Sequence, residues 1–192
     1  MKKILIINGH PNQQSLCASL AESYFHGAKE SNHEVKIIHL SQLKFDPILH
    51  KGYLEIQELE EDLKIVQQEI LWAQHLVFVY PIWWGSVPAL LKGFLDRAFL
   101  PGFAFKYHKG SPWWDKLLKG RTGRLIITTD APWWWNKFMY SDPAIKMMKK
   151  AVLEFCGVNS VKVSQFDEIK NKAPKDIELN LKKVFDLGRR GV

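Results

Sequence analysis

The chain has 192 residues, 46% of them apolar and 24% charged, a length that suits one domain burying about 70% of its unfolded surface; this excludes a disordered or fibrous protein. Its 27 basic residues against 20 acidic ones leave a charge of +7, which favours anionic partners, but most lysines are scattered and no nucleic-acid motif accompanies them, so no nucleic-acid partner is expected. The two cysteines, Cys17 and Cys156, lack CxxC spacing and suit a reducing, cytoplasmic setting rather than a disulfide framework.

In chain order, only Ile4 to Ile7 separate Met1-Lys2-Lys3 from Asn8-Gly9-His10-Pro11, too short for a signal-peptide core. Residues 3–8 (KILIIN) form a continuous β-branched run, which predicts a strand covered on both faces. Ser15 opens a helix with Leu16, Leu20, Tyr24 and Ala28 four apart. Residues 35–40 predict a second strand. Residues 57–73 predict a helix with Leu59, Leu63, Val66, Ile70 and Ala73 on one face, and 76–80 a third buried strand ended by Pro81. The uncharged stretch 70–91 invites a membrane span, yet Gln74, His75, Pro81, Gly85, Ser86 and Pro88 interrupt it and its period changes. It reads as strand, loop and helix start, with no membrane insertion.

Pro88 pre-sets φ for the next helix, whose inward face is Leu91, Phe94, Leu95 and Ala98. Residues 124–129 predict a fourth strand. Asp142-Pro143 reads as an N-cap followed by proline at the first helical position, and Gly157 closes that helix. Residues 158–163 predict a fifth strand and 174–187 a last helix. No repeat or linker divides residues 1–192. The strict alternation predicts an α/β fold: a doubly wound, five-stranded parallel sheet with helices on both faces.

Ligands of such sheets bind beyond the carboxyl ends of the strands, where the strand order reverses. The loops to inspect are therefore residues 9–15, 81–87 and 130–136. In the first, Ser15 and the helix start offer a hydroxyl, free N–H groups and a partial positive charge to an anion. His10 adds a ring donor, and Leu16 and Cys17 add backbone N–H groups. Neither a GxGxxG nor a Walker A pattern is present. The second loop is aromatic and low in charge, suited to stacking on a planar ring. The third sets Thr128, Thr129 and Asp130 beside three indoles. Seven of the eight tryptophans fall in the runs Trp83-Trp84, Trp113-Trp114 and Trp133-Trp134-Trp135. Neighbours in a strand point to opposite faces, so core packing does not ask for such runs. Two of the three lie in these loops, and together the loops suit a flavin mononucleotide.

Gly9-His10-Pro11 with the later Ser15 resembles the N-terminal signature of the flavodoxin-like NAD(P)H dehydrogenase (quinone) family. The segment Pro81-Ile82-Trp83-Trp84-Gly85-Ser86-Val87-Pro88, continuing to Phe99, is similar to its central motif, and Pro101-Gly102-Phe103-Ala104-Phe105 to a later one. The resemblance implies a single flavin-binding domain. His10, Ser15, Leu16 and Cys17 would hold the flavin phosphate. Pro81, Ile82, Trp83, Trp84 and Gly85 would lie along the ring, and Thr128, Thr129, Asp130 and Ala131 near its pyrimidine side. It also implies FMN as cofactor, with FAD as the alternative, and NAD(P)H as co-substrate. The expected reaction is a ping-pong transfer of hydride through flavin to a quinone or similar small-molecule electron acceptor. A homodimer with the flavin site at the interface is expected, with residues 103–114 and the run Trp133 to Trp135 on the partner-facing wall. The rival role is an ancillary subunit of a potassium-efflux transporter. The family's tyrosine and histidine after the Thr-Thr segment are replaced here by Asp130-Ala131-Pro132-Trp133, so no catalytic side chain carries over. The segment more closely resembles a bacterial branch of small NAD(P)H oxidoreductases.

Overall fold

A computed structural model describes residues 1–192. Five strands make one parallel sheet: β1 (Lys3–Asn8), β2 (Glu34–His39), β3 (His75–Pro81), β6 (Thr122–Thr128) and β7 (Asn159–Phe166), in the order β2-β1-β3-β6-β7. Ile4, Leu5, Ile6 and Ile7 of β1 and every residue of β3 are buried, as strands covered on both faces must be. Helices α1 (Leu16–Glu30) and α6 (Pro174–Arg190) cover one face through Leu20, Tyr24 and Val184. Helices α2 (Glu61–Trp72) and α3 (Ala89–Ala98) cover the other, with a helix that begins as α5 (Pro143–Lys146) and runs on as a π-helical stretch, Met147–Glu154. The α1–α6 contact is backbone-close. A Cβ on Gly27 would sit 2.1 Å from the Phe185 carbonyl oxygen, and one on Gly188 2.2 Å from that of Tyr24. No helix is long and apolar enough to cross a membrane.

Several local expectations change. Residues 57–60 precede α2 instead of joining it, because their polar groups serve the preceding loop: the Gln57 carboxamide accepts from His50 N–H, and the Glu60 carboxylate from Asp46 N–H. Pro81 closes β3 as its last paired residue, opposite Thr128, since the next residue, Ile82, supplies the N–H to the Thr128 carbonyl. Asp142 occupies the N-cap position but is left-handed, with φ of 53°, and its side chain caps nothing. Two elements are additional. Strands β4 (Phe105–Tyr107) and β5 (Trp114–Lys116) form a short antiparallel hairpin, and α4 (Trp133–Met139) makes a two-turn helix of the tryptophan run.

The sheet order places the carboxyl ends of β1 and β3, Asn8 and Pro81, side by side where the connections turn in opposite directions. This is the crevice in which doubly wound sheets bind ligands.

Candidate functional site

The β1–α1 loop is tied by its own polar groups. His10 N–H donates to Asn8 Oδ1 at 3.1 Å, Asn12 N–H to His10 Nδ1 at 2.9 Å, and Gln14 N–H to Asn12 Oδ1 at 2.9 Å. Ser15 is an extended N-cap whose Oγ accepts from Ala18 N–H at 3.2 Å. That leaves its hydroxyl proton, and the Leu16 and Cys17 N–H groups of the first turn, to face an anion at the positive end of the 15-residue α1. Burial holds His10 below its ordinary pKa of 6.5, outweighing the contact with Asn12. The ring is neutral at pH 7, and because Nδ1 is already an acceptor, Nε2 carries the proton and donates. The Cys17 side chain turns inward, with Sγ 3.3 Å from Thr128 Oγ1. Burial pushes this thiol up to about 11, so Cys17 offers the loop only its backbone.

After β3, Ile82 N–H donates to the Thr128 carbonyl at 2.8 Å, and Trp83 and Ser86 exchange backbone bonds of 3.0 and 2.9 Å. The two residues between them, Trp84 and Gly85, have φ of 50° and 70°, the paired left-handed geometry of a type I′ turn. Glycine adopts this freely, but a bulky Trp84 is an outlier there. The turn holds its indole fully exposed at the apex. Trp83 meets His10 edge to face, with centroids 5.2 Å apart, which joins the first loop to the second.

In the third loop, Thr129 Oγ1 accepts both Ala131 N–H at 3.2 Å and Asn136 Nδ2 at 3.3 Å, leaving its proton to donate. The Thr128 hydroxyl lies on the α1 side, against Cys17. One oxygen of Asp130 accepts Lys170 N–H at 3.0 Å, so part of its charge is engaged by the segment after β7. The second and third loops face each other across an open cavity of about 860 Å³. Ile82, Trp84 and Gly85 line one side and Thr129, Asp130 and Ala131 the other. The β1–α1 residues are not part of its lining, and neither is Trp83, whose contact with His10 ties the first loop to the second beside the lining residues Ile82 and Trp84.

Sequence reasoning missed several lining residues. Tyr140, Pro143 and Met147 also close the cavity, Tyr140 from the α4–α5 connection, Pro143 from the start of α5 and Met147 from the π-helical stretch after it. Buried Asn136, a lone amide inside an aromatic run, was the available hint. Of the other tryptophans, Trp113 is exposed, whereas Trp114 stacks on Phe155 at 4.4 Å and donates its indole N–H to the Phe155 carbonyl. Trp72 lies half-buried beneath the Lys36 ammonium, 4.5 Å from its ring.

The flavodoxin-like fold family matches residues 2–185. An uncharacterized NAD(P)H oxidoreductase of Haemophilus influenzae is 30% identical over 170 residues, covering 86% of this chain and 83% of its own length. An FMN-dependent NADH:quinone oxidoreductase of Macrococcus caseolyticus is 30% identical over 127 residues, covering 56% of this chain and 60% of its own length. Among solved structures, the NAD(P)H:quinone oxidoreductase of Methanothermobacter marburgensis superposes with a TM-score of 0.83 at 22% identity, over 100% of this chain and 99% of that one, and so shares the fold. The chain belongs to the flavodoxin-like fold family, among its NAD(P)H oxidoreductases.

Proposed function

We propose that this chain is an FMN-dependent NAD(P)H oxidoreductase that passes a hydride from NAD(P)H through bound flavin, by a ping-pong sequence, to a quinone or similar two-electron acceptor. The observation that carries this reading is the cavity between the β3 and β6 loops, with the donor-rich start of α1 tied to the β3 loop by the His10–Trp83 contact. The names of the Haemophilus and Macrococcus relatives agree with it. The donor set fits a flavin phosphate. Ser15 Oγ–H, the Leu16 and Cys17 N–H groups and His10 Nε2–H are all donors, and no carboxylate stands among residues 9–17. Pro81, Ile82, Trp83, Trp84 and Gly85 would lie along the ring, with Thr129, Asp130 and Ala131 opposite and Thr128 holding the strand end beneath them. When bound, the flavin supplies the hydride chemistry, while the protein positions it and adjusts its surroundings. The Thr129 hydroxyl is the donor placed to meet negative charge on the pyrimidine side. Trp135, Tyr140 and Met147 would form the far wall against the bound ring.

The same reading has the enzyme act in the cytoplasm as a homodimer. Tyr107 and Trp113, 61% and 72% exposed at the β4–β5 hairpin, and the run Trp133 to Trp135 would face the partner's site. Light scattering should give twice the monomer mass. The decisive experiment is an absorbance spectrum before and after anaerobic NADPH addition, with the released flavin identified by chromatography. Bound flavin that bleaches is the expected result. Protein without flavin that fails to oxidise NAD(P)H when flavin is added overturns the reading, and bound flavin that ignores NADPH points to a regulatory role instead.

The Trp84 turn makes a separable prediction. Trp84→Asn creates the Asn-Gly pair that type I′ turns favour, so it should raise Tm by about 2–4 °C, the equivalent of ~1 kcal/mol of relieved backbone strain. The same change should weaken FMN binding, because the exposed indole is lost. A variant that binds FMN as tightly as the wild type would take Trp84 out of the ring site.

A further inference from the structure

We propose that Asn8, buried beneath the β1–α1 loop, is a positioning residue that sets His10 for the flavin phosphate, and that His39 locks Asn8 in the orientation that does so. The proposal rests on the flavin-binding reading above. Asn8 ends β1 with no exposed surface, beside His39 of β2 and Val79 of β3. Ile4 to Ile7 show that this buried strand is satisfied by apolar side chains. An amide at its last position needs partners on both of its polar atoms.

The geometry permits one proton arrangement. The His10 backbone N–H can only donate, so the Asn8 atom 3.1 Å from it is oxygen. The other atom is then the NH₂ group, 3.1 Å from His39 Nδ1, which must accept. His39 is therefore neutral with its proton on Nε2, and that nitrogen lies 3.3 Å from Glu22 Oε1. The other Glu22 oxygen is 4.0 Å from His26 Nε2. Glu22 and His26 of α1 are the titratable groups facing His39, and uncharged Gln13 and Gln42, bonded at 3.0 Å, share its cavity. Turning the Asn8 amide over would set its NH₂ against the His10 N–H and its oxygen against the His39 lone pair, losing both bonds. Through His10 the consequence reaches two parts of the site: the ring nitrogen that accepts Asn12 N–H, and the edge contact with Trp83.

The test uses two substitutions of His39. Asparagine places Oδ1 where the Nδ1 acceptor was, while leucine offers no acceptor. His39→Leu should raise the FMN dissociation constant about tenfold, the effect of leaving a buried amide donor without a partner. His39→Asn should stay within about threefold of wild type, well under 1.4 kcal/mol. FMN fluorescence titration measures both, and thermal melts confirm that the variants are folded. Wild-type affinity in folded His39→Leu overturns the proposal, as does a folded His39→Asn as weak as the leucine variant. Hydrogen exchange of the His10 amide without flavin separates this from the parent reading. If wild type takes up no FMN, the parent reading falls. Slow His10 exchange in wild type and His39→Asn with fast exchange in His39→Leu still supports the positioning role, and equal exchange in all three overturns it.

Discussion

Replacing Arg97 by alanine is expected to lower the unfolding free energy by about 2–4 kcal/mol, because it removes a fully buried side chain and leaves the Asp46 and Glu58 carbonyls without their donor. Its guanidinium has no exposed surface, so its charge needs partners; both terminal nitrogens have them, while Nε is buried without one. One terminal nitrogen donates to the Asp46 carbonyl at 2.6 Å and to Glu60 Oε1 at 3.2 Å. The other donates to the Glu58 carbonyl and to Glu60 Oε2, both at 2.9 Å. Burial works against ionisation of Glu60, yet the Asp46 N–H and this guanidinium hold its carboxyl below the usual range. Arg97 thus ties α3 to residues 43–60, a connection without α-helix or strand that has little else to order it. Urea unfolding would measure the loss. Arg97→Lys should recover little, because an ammonium cannot reproduce the two-pronged contact. Limited proteolysis should then cut near Lys51. A loss under about 1 kcal/mol, the ordinary scale of an exposed pair, would show that the clamp is not what orders the segment.

The same contact explains one limit of the sequence reading. The apolar spacing through Leu59, Leu63, Val66 and Ile70 runs on smoothly, so nothing local stops a helix from starting at residue 57. What stops it is the tie to other segments: Gln57 and Glu60 accept from His50 and Asp46 N–H, and Arg97, 39 residues beyond Glu58, donates to the Glu58 carbonyl. The doubly wound parallel sheet was legible because continuous β-branched runs, alternating with helical spacing, admit few topologies. The β4–β5 hairpin was not legible, since FKY and WDK are three residues each, too short to express a period. Helix α4 was hidden because its tryptophans, Phe138 and Met139 face every direction, and an amphipathic stripe is the signal for a surface helix. The loops at the carboxyl ends of the strands could be named from their position, but the link from Asn8 to His39 could not. It depends on β1 and β2 pairing with those two residues in register. Of the clustered tryptophans, Trp84 and Trp135 line the cavity. Trp114 instead packs on Phe155 within the chain.

Acid should destabilise the protein through His75. This ring, 2% exposed at the start of β3, has Nδ1 2.7 Å from Thr122 Oγ1, while its Nε2 is buried without a partner. Burial, reinforced by the positive charges of Lys2, Arg124 and Lys162, lowers its pKa from 6.5 to about 3. Above pH 6.5 the ring is neutral in both folded and unfolded chains and adds no pH dependence. Between 6.5 and about 3 the unfolded chain takes up a proton that the folded chain refuses. Stability therefore falls as pH drops through that window, by up to about 1.4 kcal/mol per pH unit. Below the folded pKa the slope from this group vanishes. Comparing urea midpoints at pH 7 and pH 4.5 for wild type and His75→Asn isolates the effect. Asparagine keeps an acceptor for the Thr122 hydroxyl but cannot titrate, so its curve should be flatter between these pH values. Parallel curves would assign the acid sensitivity to other groups. His75 sits at the amino end of the sheet and the cavity at its carboxyl end. Flavin lost on acidification through this group should therefore leave together with the unfolding transition, while flavin that leaves earlier would be released at the site itself.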